Sequence, residues 1–290
     1  IMAWRSVVIE SPCKISAGGN YLIVRGDELK KIHLSEIYYL MIASPAVSIT
    51  GVALCELNRN KVKVVFCDER RNPYGEFSPY YGSHNCSKKI RQQVAWDKGT
   101  ISAVNTAILA KKIENQSALL KKLGFDERAA MLQEYLSEME ADDATNREGL
   151  AAKVYFNALF GMGFIRDENS AVNGALNYGY TVLLSCVNRE VAANGCLTQL
   201  GVNHCNEFNE FNLSCDLMEP FRVVVDEYVY MHKERNLDTE YKHELVNLLN
   251  KRVRMERECD LHDAVAASVK SAIEALNNGT SEYLRLYDFQ

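Results

Sequence analysis

The stretch QQVAWDKGTISAVNTAILAKKIENQSALLKKLG, residues 92–124, decides the fold class of this 290-residue chain. Its apolar residues recur at spacings of three and four, which is the period of an amphipathic helix. It ends at Gly124, and glycine is a residue type that commonly terminates helices. We therefore predict a long helix here and ask what the sequence on either side of it forms.

The sequence before this stretch is typical of β structure. Short runs rich in β-branched and aromatic residues alternate with turn formers such as AGGN and RGDELK. One short helix is predicted at TGVALCELNRN, residues 50–60. The predicted strands are SVVIE (6–10), YLIVR (21–25), IYYLMIA (37–43) and KVKVVFCD (61–68).

The sequence changes character at residue 69, after the last predicted strand and before the long helix. Residues 69–87 hold two prolines and two glycines, which predicts a linker or a long ordered loop. Helical patterns then continue over 126–146, 146–161, 242–255 and 261–279, with Asn146 predicted as an N-cap and Gly161 as a helix end. The predicted organisation is α+β, with a β domain over 1–75, a linker over 76–87 and an all-α domain over 88–290.

The composition is that of a soluble globular protein, with 47% hydrophobic and 24% charged residues. No apolar run reaches the ~20 residues that span a bilayer, so we expect no membrane association. Nine cysteines are scattered without a CxxC pair. This usage indicates reduced thiols, packed as small hydrophobic residues in a cytoplasmic protein.

The net charge of −5 and the pI near 5.8 argue against nucleic acid as the first choice of partner. The charge is unevenly spread, however. Residues 81–112 carry six lysines and arginines against one acid, whereas residues 126–148 carry eight acids against two arginines. A polyanion can therefore still meet a local positive surface.

The stretch GVNHCNEFNEFNLSCDLMEPFRVVVDEYVY, residues 201–230, is apolar enough to be buried yet rich in acids and asparagines. Asp216 and Glu219 would share one face of a helix, although Asp216 could equally cap a helix. His204 has an alternative interpretation as a structural, hydrogen-bonded residue. Glu148, near the start of an apolar helix, could equally be a solvated acid that favours the helix dipole.

These carboxylates and this imidazole, held on otherwise apolar helices, suit Mg²⁺ or Mn²⁺ better than Zn²⁺, because multiple His or thiolate ligands are missing. The chemistry that suits such an ion is phosphoryl transfer, in which the metal polarises the phosphate and stabilises the attacking and leaving oxygens. The residues by themselves indicate metal-dependent phosphoryl transfer as one candidate function.

Several stretches, taken in order, together carry a resemblance that spans nearly the whole chain. They are IHLSEI…VVFCD within 32–68, NREGLAAKVYFNALFG (146–161), LNYGYTVLLS (176–185) and GCLTQLGVNHCNEFNEFNLSCDLMEPFRVVVD (195–226). With them the chain resembles the CRISPR-associated integrase of spacer acquisition, the first Cas protein, in its type II form.

The resemblance implies an N-terminal β-sandwich domain and a larger, helical catalytic domain. It also implies a homodimer that assembles with the second CRISPR adaptation protein and holds double-stranded DNA, namely a prespacer and the CRISPR repeat. The implied reaction, part of defence against foreign DNA, joins prespacer 3′-hydroxyl ends to the repeat by metal-dependent transesterification. The implied catalytic and metal-binding residues are Glu148, His204 and Glu219, which would hold Mg²⁺ or Mn²⁺. Asp216 would be a neighbouring acid that orients or supplements these ligands.

Basic residues near these positions are candidates for neutralising DNA phosphates, with solvated surface charge as the alternative. The candidates are Lys88, Lys89, Arg91, Arg147, Lys153, Arg166 and Arg222.

Two other functions remain open at this point. A generic Mg²⁺-dependent DNA nuclease would use the same ligands with water as the nucleophile. A non-catalytic DNA-binding scaffold would keep the acidic site only as a relic. The sequence does not separate these functions from the integrase.

Overall fold

The computed structural model describes residues 5–78 and 84–290. Contacts within the chain divide it into a unit of residues 1–80 and a unit of residues 81–290. The predicted linker, 76–87, crosses this division, and its residues 79–83 lie outside the described ranges. Within the described ranges, no helix is both long and apolar enough to cross a membrane.

The described part of the first unit forms two four-stranded sheets and one α-helix. In the first sheet, of order β1-β5-β7-β8, the first three strands are parallel and β8 is antiparallel. In the second, of order β4-β3-β2-β6, β6 runs parallel to β2 and the other pairs are antiparallel. The bounds are β1 Arg5–Ile9, β2 Cys13–Gly18, β3 Tyr21–Arg25, β4 Leu29–His33, β5 Ile37–Ile42, β6 Val47–Ile49, α1 Gly51–Arg59, β7 Lys63–Cys67 and β8 Pro73–Phe77.

One hydrophobic cluster in this unit draws residues from both sheets and from α1. Strand β5 is buried along its whole length, which explains its continuous apolar sequence IYYLMI. Helix α1 begins where Thr50 Oγ1 accepts a hydrogen bond from the Ala53 N–H at 3.2 Å. The predicted strands and helix are therefore present, and the structure adds β2, β4, β6 and β8.

The second unit is mostly helical. Its long helix α3 is buried on several sides and packs against α4, α5, α8 and α10. The bounds are α2 Cys86–Val94, α3 Lys98–Lys122, α4 Asp126–Ser137, α5 Arg147–Phe160, α6 Ala171–Ala193, α7 Asn212–Met218, α8 Arg222–Met231, α9 Thr239–Asn247, β9 Arg252–Arg254, β10 Glu258–Asp260 and α10 Leu261–Asn278.

The sequence prediction was wrong at three places in this unit. The helix predicted over 126–146 ends at Ser137, and a 3₁₀ turn, Ala141–Asp143, follows it. Residues 92–124 are not one helix, because Asp97 starts a new one: its Oδ2 accepts from the Thr100 N–H at 2.9 Å. Residues 252–260 form an antiparallel hairpin, so the unit is not all-α. Val253 is buried between two exposed arginines, an alternation that suits a strand and not a helix.

Candidate active site

Glu148 lies in the first turn of α5, and Asp143 fixes that turn. The two carboxylate oxygens of Asp143 accept hydrogen bonds from the N–H groups of Arg147 at 2.7 Å and Glu148 at 2.9 Å. Asn146 stands at the predicted N-cap position, but it makes no side-chain cap and adopts a left-handed conformation with φ of 53°. The helix therefore begins as predicted, whereas its capping group is a different residue.

Glu219 is the most deeply buried of the predicted ligands, with a side chain 4% exposed. It opens a short 3₁₀ turn, Glu219–Phe221, between α7 and α8. Its Oε1 accepts from Nε of Arg222 at 3.0 Å, and its Oε2 lies 2.6 Å from Nζ of Lys112. Among the described residues none donates a directed hydrogen bond to Oε2, so its approach to Lys112 is an ion pair without good hydrogen-bond geometry.

Lys112 brings the two predicted carboxylates together, although the sequence had suggested only a general basic region around it. Its Nζ lies 2.5 Å from Oε1 of Glu148 as well as 2.6 Å from Oε2 of Glu219. The lysine extends from the buried helix α3, and its side chain is 13% exposed. A pair of acids from different elements thus shares one buried ammonium group.

Charge pairing outweighs burial in this cluster. Burial alone would raise the pKa of Glu219, but the charges of Arg222 and Lys112 dominate and lower it to about 2. Burial likewise opposes a charged Lys112, yet Glu219 and Glu148 together raise the pKa of its ammonium above the ordinary value. Glu219 and Lys112 are therefore charged at neutral pH.

His204 lies in the loop before α7 and contacts Asp216, not Glu219, directly. Its Nδ1 is 2.5 Å from Oδ1 of Asp216, and this hydrogen bond is the main cause of a raised pKa for the imidazole, opposed by burial. The charge of Glu219 adds to the same effect, so His204 lies within electrostatic range of the acid pair.

Asp216 is a buried carboxylate that organises the His204 loop. It accepts backbone N–H hydrogen bonds from Val202, Asn203 and His204 at 2.7, 3.1 and 3.0 Å. Gly201 is required beside it, because a Cβ there would lie 2.3 Å from the His204 carbonyl oxygen and 2.8 Å from Oδ2 of Asp216. The alternative of Asp216 as an N-cap is wrong, since the residue lies inside α7.

The regularly spaced asparagines stabilise the rest of this loop. Oδ1 of Asn206 accepts from the Phe208 N–H, and Oδ1 of Asn209 accepts from the Phe211 N–H, both at 2.9 Å. Each is the side-chain turn that asparagine forms with a backbone group two residues on. Nδ2 of Asn212 then donates to the carbonyl oxygens of Gln199 and Asn206, at 3.1 and 3.0 Å.

A second buried network lies behind Arg222. Its guanidinium stacks over the ring of Tyr180 at 4.6 Å, and the Tyr180 hydroxyl donates to Oδ1 of the buried Asp226. Tyr155, from α5, donates to Oδ2 of the same carboxylate at 2.8 Å. Helices α5, α6 and α8 are thereby joined beneath the Glu219–Arg222 pair.

The predicted DNA-binding residues divide into exposed and engaged groups. Lys88 and Arg91 are exposed on α2 and line a surface pocket there, and Lys153 is exposed on α5. Lys89 is half-buried on the same helix α2. The others are engaged: Arg147 pairs with Glu138 at 2.9 Å, Arg166 bonds the side chains of Asn173 and Asn177, and Arg222 pairs with Glu219.

The donor types of Glu148, His204 and Glu219 suit a hard divalent ion, although their ligand atoms do not all lie within 4.8 Å of one another in the described structure. Glu219 Oε2 is a buried carboxylate oxygen that receives no directed hydrogen bond within the described part of the chain, and the cation beside it is the Lys112 ammonium at 2.6 Å. The imidazole of His204 bonds a carboxylate through one nitrogen, which is the usual arrangement of a metal-ligating histidine. Two carboxylates and one imidazole are donors that Mg²⁺ and Mn²⁺ accept.

A separate group of ligand-type side chains, Asp260, His262 and Asp263, has donor atoms within 4.8 Å of one another. Its two aspartates approach different ring nitrogens of His262, at 3.7 Å and 3.3 Å. Sequence reasoning missed this group, because a lone His-Asp pair after a strand carries no specific spacing signal.

Comparisons with known proteins agree with one another. The family model described as CRISPR associated protein Cas1 matches residues 7–256. The CRISPR-associated endonuclease Cas1 of Neisseria meningitidis serogroup C (strain 8013) is 31% identical over 287 residues, which cover 97% of this chain and 93% of the relative.

Two solved structures have a similar fold. A casposase bound to integration product gives a TM-score of 0.77 at 18% identity, covering 98% of this chain and 93% of that one. A Cas6-RT-Cas1–Cas2 complex gives a TM-score of 0.75 at 20% identity; the match covers 99% of this chain and 36% of the larger one.

Proposed function

This chain belongs to the CRISPR-associated Cas1 family, and from that premise we propose that it is a metal-dependent DNA integrase and endonuclease. It joins the 3′-hydroxyl ends of a prespacer to the CRISPR repeat by transesterification. The observation that carries the proposal is the convergence of Glu148 and Glu219 on one buried cation position, at 2.5 and 2.6 Å from Lys112 Nζ.

Glu148, His204 and Glu219 are the residues that would hold Mg²⁺ or Mn²⁺ in this proposal. When bound, the ion supplies Lewis-acid polarisation of the scissile phosphate of the repeat. The Asp216 carboxyl, which accepts three backbone N–H groups, also accepts the Nδ1–H of His204 in this proposal, and this leaves the Nε2 lone pair for ligation. Arg222 fixes the orientation of Glu219 by binding its Oε1.

The partners follow from the same proposal. The similar solved structures are a complex that contains Cas1 and Cas2 and a casposase bound to integration product. By analogy we propose double-stranded DNA, the second adaptation protein and a second copy of this chain as partners, acting in the cytoplasm. The two sheets of the first unit would pack as the β-sandwich that the resemblance implies.

A joining assay tests the proposal. Labelled DNA with free 3′-hydroxyl ends is incubated with a plasmid that carries the repeat, with Mn²⁺ and with a chelator. We expect strand joining that requires the metal. Glu219→Gln should abolish joining while DNA binding stays, and Glu114→Gln, an exposed carboxylate on α3, serves as the matched control. Joining by Glu219→Gln at the unaltered rate would show that the site is misassigned.

Simple DNA cleavage is the second candidate function. The relative from Neisseria meningitidis is described as an endonuclease, and the same ligands could direct water at the phosphodiester. The joining assay distinguishes the two, because nicked plasmid without covalently attached label indicates hydrolysis alone.

A further inference from the structure

Both oxygens of Glu219 are already in contact with cations. Oε1 binds Nε of Arg222 at 3.0 Å, and Oε2 lies 2.6 Å from Nζ of Lys112. A divalent ion that uses Glu219 as a ligand needs an oxygen at about 2.1 Å. An ammonium group 2.6 Å from the same oxygen occupies that space, so one of the two cations has to leave when the ion enters.

Lys112 is the cation that can leave. Arg222 is held by the Tyr180 ring at 4.6 Å in addition to Glu219. The ion pairs of Lys112 are with Glu148 and Glu219, which are the same acids that would become ligands. Its ammonium is a compact charge on a flexible four-carbon stem, whereas the guanidinium of Arg222 is planar and stacked.

Charge balance points the same way. In the structure the carboxylates of Glu148 and Glu219 face two cations, Lys112 and Arg222, so the charges of these four groups balance. A divalent ion added beside both cations would leave two uncompensated positive charges in a buried place, which is strongly unfavourable. Departure of the lysine removes one of these charges and frees an oxygen on each acid.

We propose that Lys112 is a built-in cation that holds Glu148 and Glu219 in position in the metal-free protein and that a divalent ion must displace. The inference rests on the proposed function, because it takes these acids to be the metal ligands. In the metal-free state the lysine offsets the repulsion between the buried Glu219 and the partly exposed Glu148. Its presence also lowers the affinity of the site for the ion.

Isothermal titration with Mn²⁺ alone tests this exchange. Lys112→Met keeps the apolar stem and removes the charge, so we expect Mn²⁺ to bind at least about tenfold more tightly than to the unaltered protein. Lys111→Met is the matched control, since Lys111 pairs with Glu114 and Asp288 away from the acid pair; its affinity should be unchanged. Affinity of Lys112→Met that equals or falls below that of the unaltered protein overturns the proposal.

A second measurement needs no variant and decides the matter if Lys112→Met does not fold. Lysine acylation followed by mass spectrometry reports the accessibility of each ammonium in the unaltered protein. Addition of Mg²⁺ should raise the labelling of Lys112 severalfold and leave Lys111 unchanged. Unchanged labelling of Lys112, in a sample that titration shows to have bound the ion, contradicts the exchange.

Glu219→Gln separates this proposal from the one on which it rests. If Glu219→Gln loses Mn²⁺ binding while Lys112→Met gains none, the metal site stands and only the exchange fails. If Glu219→Gln binds Mn²⁺ as the unaltered protein does, the assignment of the metal ligands fails, and the exchange fails with it.

Discussion

The buried carboxylate of Asp226 should make folding stability depend on pH in an unusual direction. Asp226 is 1% exposed and accepts hydrogen bonds from Tyr155 and Tyr180. Burial raises its pKa to about 6, although the two tyrosine hydroxyls and the nearby Arg222 act in the opposite sense. In the unfolded chain the pKa returns to about 3.9.

The folded state therefore binds the proton of Asp226 more tightly than the unfolded state does. The stabilisation from this proton is fully present below pH 4 and is lost as pH rises through about 6. A shift of about two pKa units corresponds to about 3 kcal/mol of unfolding free energy. Asp226→Asn has almost the shape of the protonated acid and does not titrate.

Urea denaturation of both proteins between pH 4 and pH 8, followed by circular dichroism at 222 nm, measures this term. Subtracting one unfolding free energy from the other cancels the other titrating groups. As pH rises from 4 to 8, the unfolding free energy of Asp226→Asn should increase relative to that of the unaltered protein by about 3 kcal/mol. In a Tyr180→Phe background the carboxylate loses one donor, so the window should move to higher pH. A difference that is constant with pH, or that favours the variant as pH falls, refutes the reasoning.

Three further predictions concern the support of the site and the core. Asp216→Asn should weaken Mn²⁺ binding by about 10- to 100-fold in a titration, because the His204 ring loses its carboxylate partner; unchanged affinity would exclude His204 as an oriented ligand. Within α6, Gly179→Ala should lower the free energy of unfolding by about 1–3 kcal/mol, since its Cβ would lie 2.5 Å from Val225 Cγ1. Gly174→Ala in the same helix meets nothing closer than 3.6 Å and should gain up to about 1 kcal/mol, so equal effects at both glycines would contradict the packing argument. The Gln93 side chain bonds the carbonyl oxygens of Leu197 and Leu200 and the Leu197 N–H, and Gln93→Ala leaves all three without this partner. Its free energy of unfolding in urea should fall by about 1–3 kcal/mol, whereas that of the control Gln92→Ala, at an exposed position, should change little.

The parts of the fold that sequence predicted are those set by local pattern. The mixed α+β class is confirmed, and the glycines at 124 and 161 follow helix ends with positive φ as expected. The missed strands are short or polar, such as LKKIH and VSI. The hairpin at 252–260 was missed because its three-residue strands are shorter than the four to eight residues over which strand alternation is recognised.

The site was predictable in its acids and its histidine but not in its cation. The resemblance and the residue types selected Glu148, His204 and Glu219, and their roles stay predictions. The sequence places Lys112 only in a basic region, because sequence alone does not show that a lysine on a helix points between two carboxylates. The capping of α5 by Asp143 was missed for a similar reason, since a left-handed residue at Asn146 displaces the cap by three positions.

The closed loop between His204 and Asn212 has a practical consequence. Asp216 holds its start through three backbone N–H groups, and Asn212 ties Asn206 to Gln199. Between these attachments Phe208 is 87% exposed. Because lengthening a surface loop adds only about 0.6 kcal/mol per doubling, a short peptide tag or a fluorophore attachment site inserted at Phe208 should leave both attachments intact. The protein thus offers a position for an optical reporter a few residues from His204, where the binding of the proposed DNA partner can be followed in real time.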